Sequence, residues 1–323
     1  MTLHPSLPSV PAFVATLDDV AAIGFDGADA AAFLHGQLST DVEVLPIGAV
    51  ALTTYNSPKG RVLATLMLLR RDTESFVAIV AADLAAALRK RLAMFVLRAK
   101  VTVRDAGVEA VLLGVGGDGA VAALAAAMGA TLAPGRGVVG ADGDAMVFPD
   151  GRALVIARAA TAADLRVRLG LPDATPAAFA RLGIRAGVPW VTLATQDRFV
   201  LQALNGDLLG AVNFRKGCYP GQEIVARMQY LGRLKERLFA FATAAAPPAV
   251  GTGLVATGAP DAPAGTVVNV AATAGGSEFL AVANYDAVTT GELRLDTVDG
   301  PLAVRLDLPY AIPAPTTAPR VKL

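Results

Sequence analysis

The sequence predicts an α+β body followed by an all-β C-terminal region. Three observations carry this expectation. Between Ala49 and Arg104 the apolar pattern runs strand, strand, strand, helix, strand, an order that builds a layered α+β unit rather than a doubly wound parallel sheet. From Glu109 to Leu169 a strand, helix, strand, helix order follows and makes a second layer. After Pro247-Pro248 the chain turns to short runs of Gly, Pro, Thr and Val, the composition of a β-barrel or sandwich.

Taken in order, residues 1–20 read as a Pro-containing lead-in, and Asp29 to Leu38 as a short helix with Ala32, Phe33 and Leu34 as its apolar residues. Ala49 to Tyr55 and Val62 to Leu69 are strand-like runs joined by Asn56-Ser57-Pro58-Lys59-Gly60, which reads as a hairpin turn. Phe76 to Ala81 is a third strand. Asp83 is placed to cap a helix in which Leu84, Leu88, Leu92 and Phe95 recur at helical spacing, and Val101 and Val103 alternate in a strand from Lys100 to Arg104. Gly114-Val115-Gly116-Gly117-Asp118-Gly119 matches a dinucleotide fingerprint, but Thr131 to Gly140 is Gly/Pro-rich where a second strand ending in an acid should follow. An ordinary strand-to-helix turn is the better reading. Leu154 to Ala157 is a strand and Ala162 to Leu169 a helix. Thr175-Pro176 opens another helix, which Gly187 ends. Trp190 follows directly, as a core anchor near a domain junction or as a pocket wall. A strand from Arg237 runs to the Pro247-Pro248 pair, and the Pro-rich tail from Pro309 hugs the surface or frays.

The hydrophobic fraction of 54% and mean hydropathy of +0.51 do not describe a membrane protein. Much of that fraction is alanine, and charges or glycines interrupt every apolar run before the ~20 residues of a spanning helix. With no basic start and apolar core at the N-terminus, the expectation is a soluble cytoplasmic protein. One cysteine cannot form an internal disulfide, and two histidines with one cysteine make no zinc site by themselves. The net charge is zero, yet residues 59–104 hold ten bases against three acids and residues 181–240 nine against four. If the two segments meet they form a positive surface for an anionic ligand; otherwise they are ordinary solvated faces.

The second basic segment contains Lys216-Gly217-Cys218-Tyr219-Pro220-Gly221-Gln222-Glu223-Ile224-Val225-Ala226-Arg227. Pro220 suits a first turn, and Ile224, Val225 and Met228 give an apolar face, so a helix is expected from Pro220 to Leu231, stopped by Gly232. Cys218 then lies beside a helix N-terminus with Lys216 two residues upstream, and both favour the thiolate. The alternative is a buried free cysteine acting as a small apolar residue. Glu223 and Arg227, four apart, are placed either to bind a ligand or to pair along the helix.

The stretch Lys216 to Glu223 resembles the hallmark of the YgfZ family, folate-binding proteins related to the T-protein (GcvT, aminomethyltransferase) of the glycine cleavage system. The resemblance extends through Gln202-Ala203-Leu204-Asn205, Leu209-Gly210-Ala211-Val212 and Tyr230-Leu231-Gly232, with weaker echoes at 33–42 and 56–61. It implies a GcvT/YgfZ-like folate-binding body with ferredoxin-like layers over residues 1–235, in two interleaved subdomains, and a C-terminal β-barrel over 236–323. The domains would ring a central opening that takes the pterin and its glutamate tail. Tyr55, Asn56, Lys59 and Arg61 on one side, and Asn205, Lys216, Gly217, Tyr219, Gln222, Glu223 and Arg227 on the other, would face that opening, with Cys218 as a redox-sensitive or ligating thiolate. Two departures are visible. Where T-proteins carry acidic residues after the turn, including the catalytic one, this chain has Ala64 and Thr65, so aminomethyl transfer lacks its carboxylate. Where relatives place a pterin-contacting Glu, it has Arg185. The resemblance thus implies a tetrahydrofolate binder that supports assembly or repair of iron-sulfur proteins, with assembly factors as partners and tRNA modification as an indirect readout. The alternatives are a folate-dependent one-carbon transferase using Cys218 or Glu223, and a tRNA-binding module resting on the basic segments alone.

Overall fold

The computed structural model describes residues 9–232 and 234–315. The first part of the chain runs β1 (Phe13–Thr16), β2 (Val20–Asp26), α1 (Ala30–Gln37), β3 (Val50–Asn56), β4 (Val62–Arg70), β5 (Ser75–Ala81), α2 (Ala82–Met94) and β6 (Thr102–Asp105). The second runs β7 (Ala110–Gly116), α3 (Ala120–Met128), β8 (Gly137–Gly140), β9 (Gly143–Val147), β10 (Ala153–Arg158), α4 (Ala162–Leu169), β11 (Asp173–Ala174), α5 (Pro176–Arg185) and α6 (Gln222–Leu231). The third comprises β12 (Glu236–Thr243), β13 (Gly253–Ala256), β14 (Ala259–Thr273), β15 (Gly276–Asn284), α7 (Tyr285–Thr290), β16 (Leu293–Leu295) and β17 (Leu302–Leu306).

The expected α+β body and C-terminal barrel are both present. Strands β3-β4-β5-β2-β6 form one sheet, β11-β1-β7-β10-β9-β8 a second, and β12-β15-β14-β13-β16-β17 a closed barrel. Alternation decides how the sheets stack. Ala22, Leu52, Met67 and Ile79 of the first sheet meet Ala15, Met146 and Leu154 of the second in one buried cluster. The opposite face of the first sheet carries Phe25, Leu66, Leu68 and Phe76, covered by Phe33 and Leu34 of α1 and Leu84 and Leu88 of α2. Leu124 of α3 and Leu165 of α4 cover the outer face of the second sheet at Leu113 and Val155. The body is therefore helix, sheet, sheet, helix. Closure leaves the barrel no free edge, and Phe239, Phe241, Leu254 and Phe279 fill its interior. No helix among the described residues is long and apolar enough to cross a membrane.

Some local expectations are corrected. The lead-in contains β1, which enters the second sheet between β7 and β11, while β2 joins the first sheet; residues 1–8 lie outside the described residues, as does the tail from 316. Asp83 is not the cap of α2: Ala81 is, and the Asp83 carboxylate accepts the backbone N–H of Leu193 at 2.9 Å. The glycines of the 114–119 motif serve packing. A Cβ at Gly114 would stand 2.7 Å from the Phe179 ring, and one at Gly116 would collide with Leu182, so both leave room for α5. Described residues of the tail tuck in: the Tyr310 hydroxyl donates to the carbonyl of Gly187 at 2.7 Å.

Helix α5 lies between the second sheet and the barrel and is clamped to both. Arg185 donates Nε and Nη2 to the Glu278 carboxylate on β15, each at 2.6 Å, and Arg181 Nε adds a third bond at 3.0 Å. Burial pushes the Glu278 carboxyl up, but the hydrogen bonds and charges of Arg185 and Arg181 outweigh it and hold the group below its ordinary 4.5. A carboxyl depressed by folding contributes stability above its unfolded value and loses that contribution as pH falls through its folded value. Glu278→Gln should therefore lower the thermal midpoint at neutral pH, with the gap to the parent chain closing below about pH 4.5. A gap constant down to pH 3 in a calorimetric series would contradict a role for the charge.

Candidate functional site

The hallmark segment folds against the β3-β4 hairpin. Helix α6 starts at Gln222, not Pro220, because Gly221 takes a left-handed φ of +79° at the cap. A Cβ there would lie 2.5 Å from the carbonyl oxygen of Ser57 and 2.7 Å from Gly60 Cα, and one on Gly60 would lie 2.7 Å from Ile224 Cβ. Two glycines thus bring hairpin tip and helix start into backbone contact.

Lys216 is buried, with its ammonium 5.1 Å from the centre of the Tyr219 ring. Nζ donates to the carbonyls of His35, of Leu38 at 2.6 Å and of Thr40 at 3.1 Å, satisfying the C-terminal end of α1 and the loop beyond it. Burial pushes its pKa down to about 8, against the opposing pull of Asp41 and Glu43. Cys218 is exposed, which overturns the buried-cysteine alternative, and it stands four residues before the first residue of α6.

The other expected ligand residues separate into buried and exposed sets. Tyr55 is buried, and its hydroxyl accepts Arg91 Nε at 3.0 Å. Asn56 is buried with neither amide atom partnered among the described residues. Asn205, left-handed at φ +57°, ties the body to the barrel: Nδ2 donates to the Leu238 carbonyl at 2.8 Å and Oδ1 accepts the Leu238 N–H at 3.3 Å. Tyr219 is buried, and its N–H donates to Gln222 Oε1 at 3.2 Å. Lys59, Arg61, Gly217, Glu223 and Arg227 are exposed, and no ion pair joins Glu223 to Arg227. Arg185 is the clamp on Glu278 described above.

None of these residues lines the partly open cavity between the two sheets, α5 and the barrel, which measures about 230 Å³. Its wall includes Asp19, Phe148, Arg152, Phe179, Trp190 and Asn269. Asn269 of β14 brackets the Trp190 backbone, with Oδ1 accepting the N–H and Nδ2 donating to the carbonyl, both at 2.8 Å. The indole Nε1 is buried with no acceptor among the described residues. Burial pushes the Asp19 carboxyl up. Arg152, 9% exposed, donates Nε and Nη2 to Asp150 Oδ2 at 3.1 and 2.7 Å. Arg152 is the one cation on this wall, while Arg71, Arg104, Arg181 and Arg237 of the basic segments pair locally with Asp144, Asp26, Glu278 and Asp207.

No family model matches the chain. The tRNA-modifying protein YgfZ of Serratia proteamaculans is 31% identical over 321 residues, covering 96% of each chain, and that of Klebsiella pneumoniae is 32% identical over 253 residues, covering 76% of each. The chain belongs to the YgfZ family. Among solved structures, the glycine cleavage system aminomethyltransferase T from Bartonella henselae superposes with a TM-score of 0.75 over 94% of this chain and 87% of that one. At 19% identity that likeness concerns the fold.

In this YgfZ-family chain Thr65 is 2% exposed, and its hydroxyl accepts the Val191 N–H at 2.9 Å, so the position carries a packed structural hydroxyl. The cavity wall contributed by Asp19, Phe148, Arg152, Phe179 and Asn269 escaped sequence reasoning. These residues come from four separated segments without a shared motif. The one available signal was Trp190, for which both readings hold: it lines the cavity and packs against both body cores.

Proposed function

We propose that this YgfZ-family chain is a cytoplasmic tetrahydrofolate-binding protein that supports assembly or repair of iron-sulfur proteins, tRNA-modifying enzymes among them, without itself running aminomethyl transfer. The relatives' name, tRNA-modifying protein, and the fold shared with an aminomethyltransferase support the reading. The observation that carries it is the cavity, small and largely apolar, with a buried indole N–H unpartnered among the described residues and, in its wall, a carboxyl held above its ordinary range. Asp19, Arg152 and Trp190 would hold the ring system, and the bound folate would supply one-carbon carrier chemistry. Thr65 supplies no proton-transferring carboxylate, and Cys218 and Glu223 lie outside the cavity, so a transferase built on them has less support.

Trp190 is the sole tryptophan, so titrating tetrahydrofolate against its fluorescence reads the cavity directly. Saturable quenching without turnover of an aminomethylated carrier protein is expected; no response, or turnover at an enzyme-like rate, would overturn the proposal. Cys218 in this reading is a surface thiol that meets the client protein. Cys218→Ser should change stability by less than about 0.5 kcal/mol, since an exposed side chain is replaced, yet abolish support of iron-sulfur enzymes in cells. Normal client activity in that variant would remove the thiol from the mechanism.

A further inference from the structure

The chain from Leu84 to Arg104 carries six basic residues and no acidic one. Three of the six are engaged within the fold: Arg89 pairs with Asp105 at 3.4 Å, Arg104 with Asp26 at 2.6 Å, and Arg91 donates Nε to the Tyr55 hydroxyl at 3.0 Å. Lys90, Arg98 and Lys100 are exposed, and none of them joins an ion pair among the described residues. Among these cations the last turn of α2 and the loop beyond it present Met94, Phe95 and Leu97 to solvent, 61%, 45% and 87% exposed. Their neighbours face the other way: Leu88 and Leu92 are buried, and Val96 packs on the same core. The loop is held by its backbone. The Phe95 N–H donates to the Leu92 carbonyl at 3.0 Å, the Ala99 N–H to that of Val96 at 2.8 Å, and the Lys100 N–H to Asp29 Oδ2 at 2.7 Å. Leu97 keeps a left-handed backbone, φ +47°, which a residue with a Cβ adopts only at a cost. Three large apolar side chains held outward among unpaired cations mark a surface that a partner covers.

We infer that this tip is a peripheral docking surface for an anionic phospholipid bilayer. Met94, Phe95 and Leu97 enter the boundary between headgroups and acyl chains, and Lys90, Arg98 and Lys100 sit among the phosphates. The charge calls for an anionic partner, and the apolar residues decide its kind. A nucleic acid supplies phosphates and flat base faces, which suit Phe95 but leave Met94 and Leu97 unmatched. An acidic protein would have to bring a groove shaped to these three side chains, whereas a bilayer supplies negative charge and apolar depth together. Such a contact lies in the plane of the interface and needs no spanning helix. None of the six residues lines the cavity, and the inference is independent of the folate reading.

Co-flotation of the full chain with vesicles of phosphatidylcholine alone, and with vesicles containing about one third phosphatidylglycerol, tests this. The parent chain should partition onto the anionic vesicles at least about tenfold more strongly than onto the neutral ones, since each cation near a charged surface adds roughly a factor of five. Added salt should shrink that preference by screening. Leu97→Asn removes the apolar side chain, suits the left-handed backbone and should lower partitioning about tenfold, the share of one half-buried leucine. Lys90→Gln with Arg98→Gln should lower it about tenfold or more on anionic vesicles and leave neutral ones unaffected. All three positions are exposed, and the thermal midpoint of each variant checks its fold. No partitioning onto anionic vesicles, or equal partitioning of Leu97→Asn and the parent chain, overturns the inference. So does binding of a single-stranded oligonucleotide by both of those chains where vesicles fail, which would make the patch a nucleic-acid surface.

Discussion

Asp207→Ala should destabilise this protein by about 3–5 kcal/mol, the cost of leaving a buried charge without its partner. Arg237, at the start of the barrel, donates Nη1 and Nη2 to the two carboxylate oxygens of Asp207 at 2.6 and 3.0 Å, and Nη1 also reaches the Gln202 carbonyl at 2.8 Å. The side chains are 10% and 8% exposed, so water cannot replace the lost carboxylate. The pair joins the loop after Asn205 to β12, and its loss would loosen the junction between body and barrel. Replacing both partners, as in Asp207→Leu with Arg237→Met, should recover most of the deficit, because burying two charges is itself expensive. Urea denaturation of the three variants decides the matter. A single variant within 1 kcal/mol of the parent chain would mean that the junction does not depend on the pair.

The elements that sequence reasoning placed well are those whose pattern is local. The β3-β4 hairpin follows from alternating apolar runs around Asn56-Ser57-Pro58-Lys59-Gly60, and α2 from Leu84, Leu88 and Leu92, whose side chains are all buried. The hallmark itself was legible as a run of residues. Their roles were not. A lysine in a Gly- and Pro-rich stretch reads as solvated, and only the fold brings the carbonyls of residues 35, 38 and 40 around the Lys216 ammonium, 176 to 181 positions away in the chain. Arg185 was legible as a departure from the related enzymes, but its partner lies 93 residues on, in the barrel. The cavity was hidden for the same reason. Asp19, Phe148 and Asn269 are unremarkable where they stand, and their chemistry arises from the packing of two sheets, one helix and a barrel.

Gly221→Ala should cost about 3 kcal/mol or more, although it adds one methyl group at a partly exposed position. Two terms add. The left-handed backbone at φ +79° disfavours any residue with a Cβ by about 1–2 kcal/mol. The new methyl would also stand 2.5 Å from the Ser57 carbonyl oxygen and 2.7 Å from Gly60 Cα, and backbone on both sides cannot yield without opening the hairpin-to-helix contact. Gly210 supplies the control: it has φ +72°, and a Cβ there would meet nothing within 4 Å, so Gly210→Ala pays the dihedral term alone. The excess of the first variant over the second isolates the steric contact between the hallmark and the hairpin. That contact sets where the Lys216 to Tyr219 loop sits, so Gly221→Ala should also change the alkylation rate of Cys218 in the folded protein, whereas Gly210→Ala should not. Equal stability losses in the two variants would show that the hallmark glycine serves only its own backbone angle.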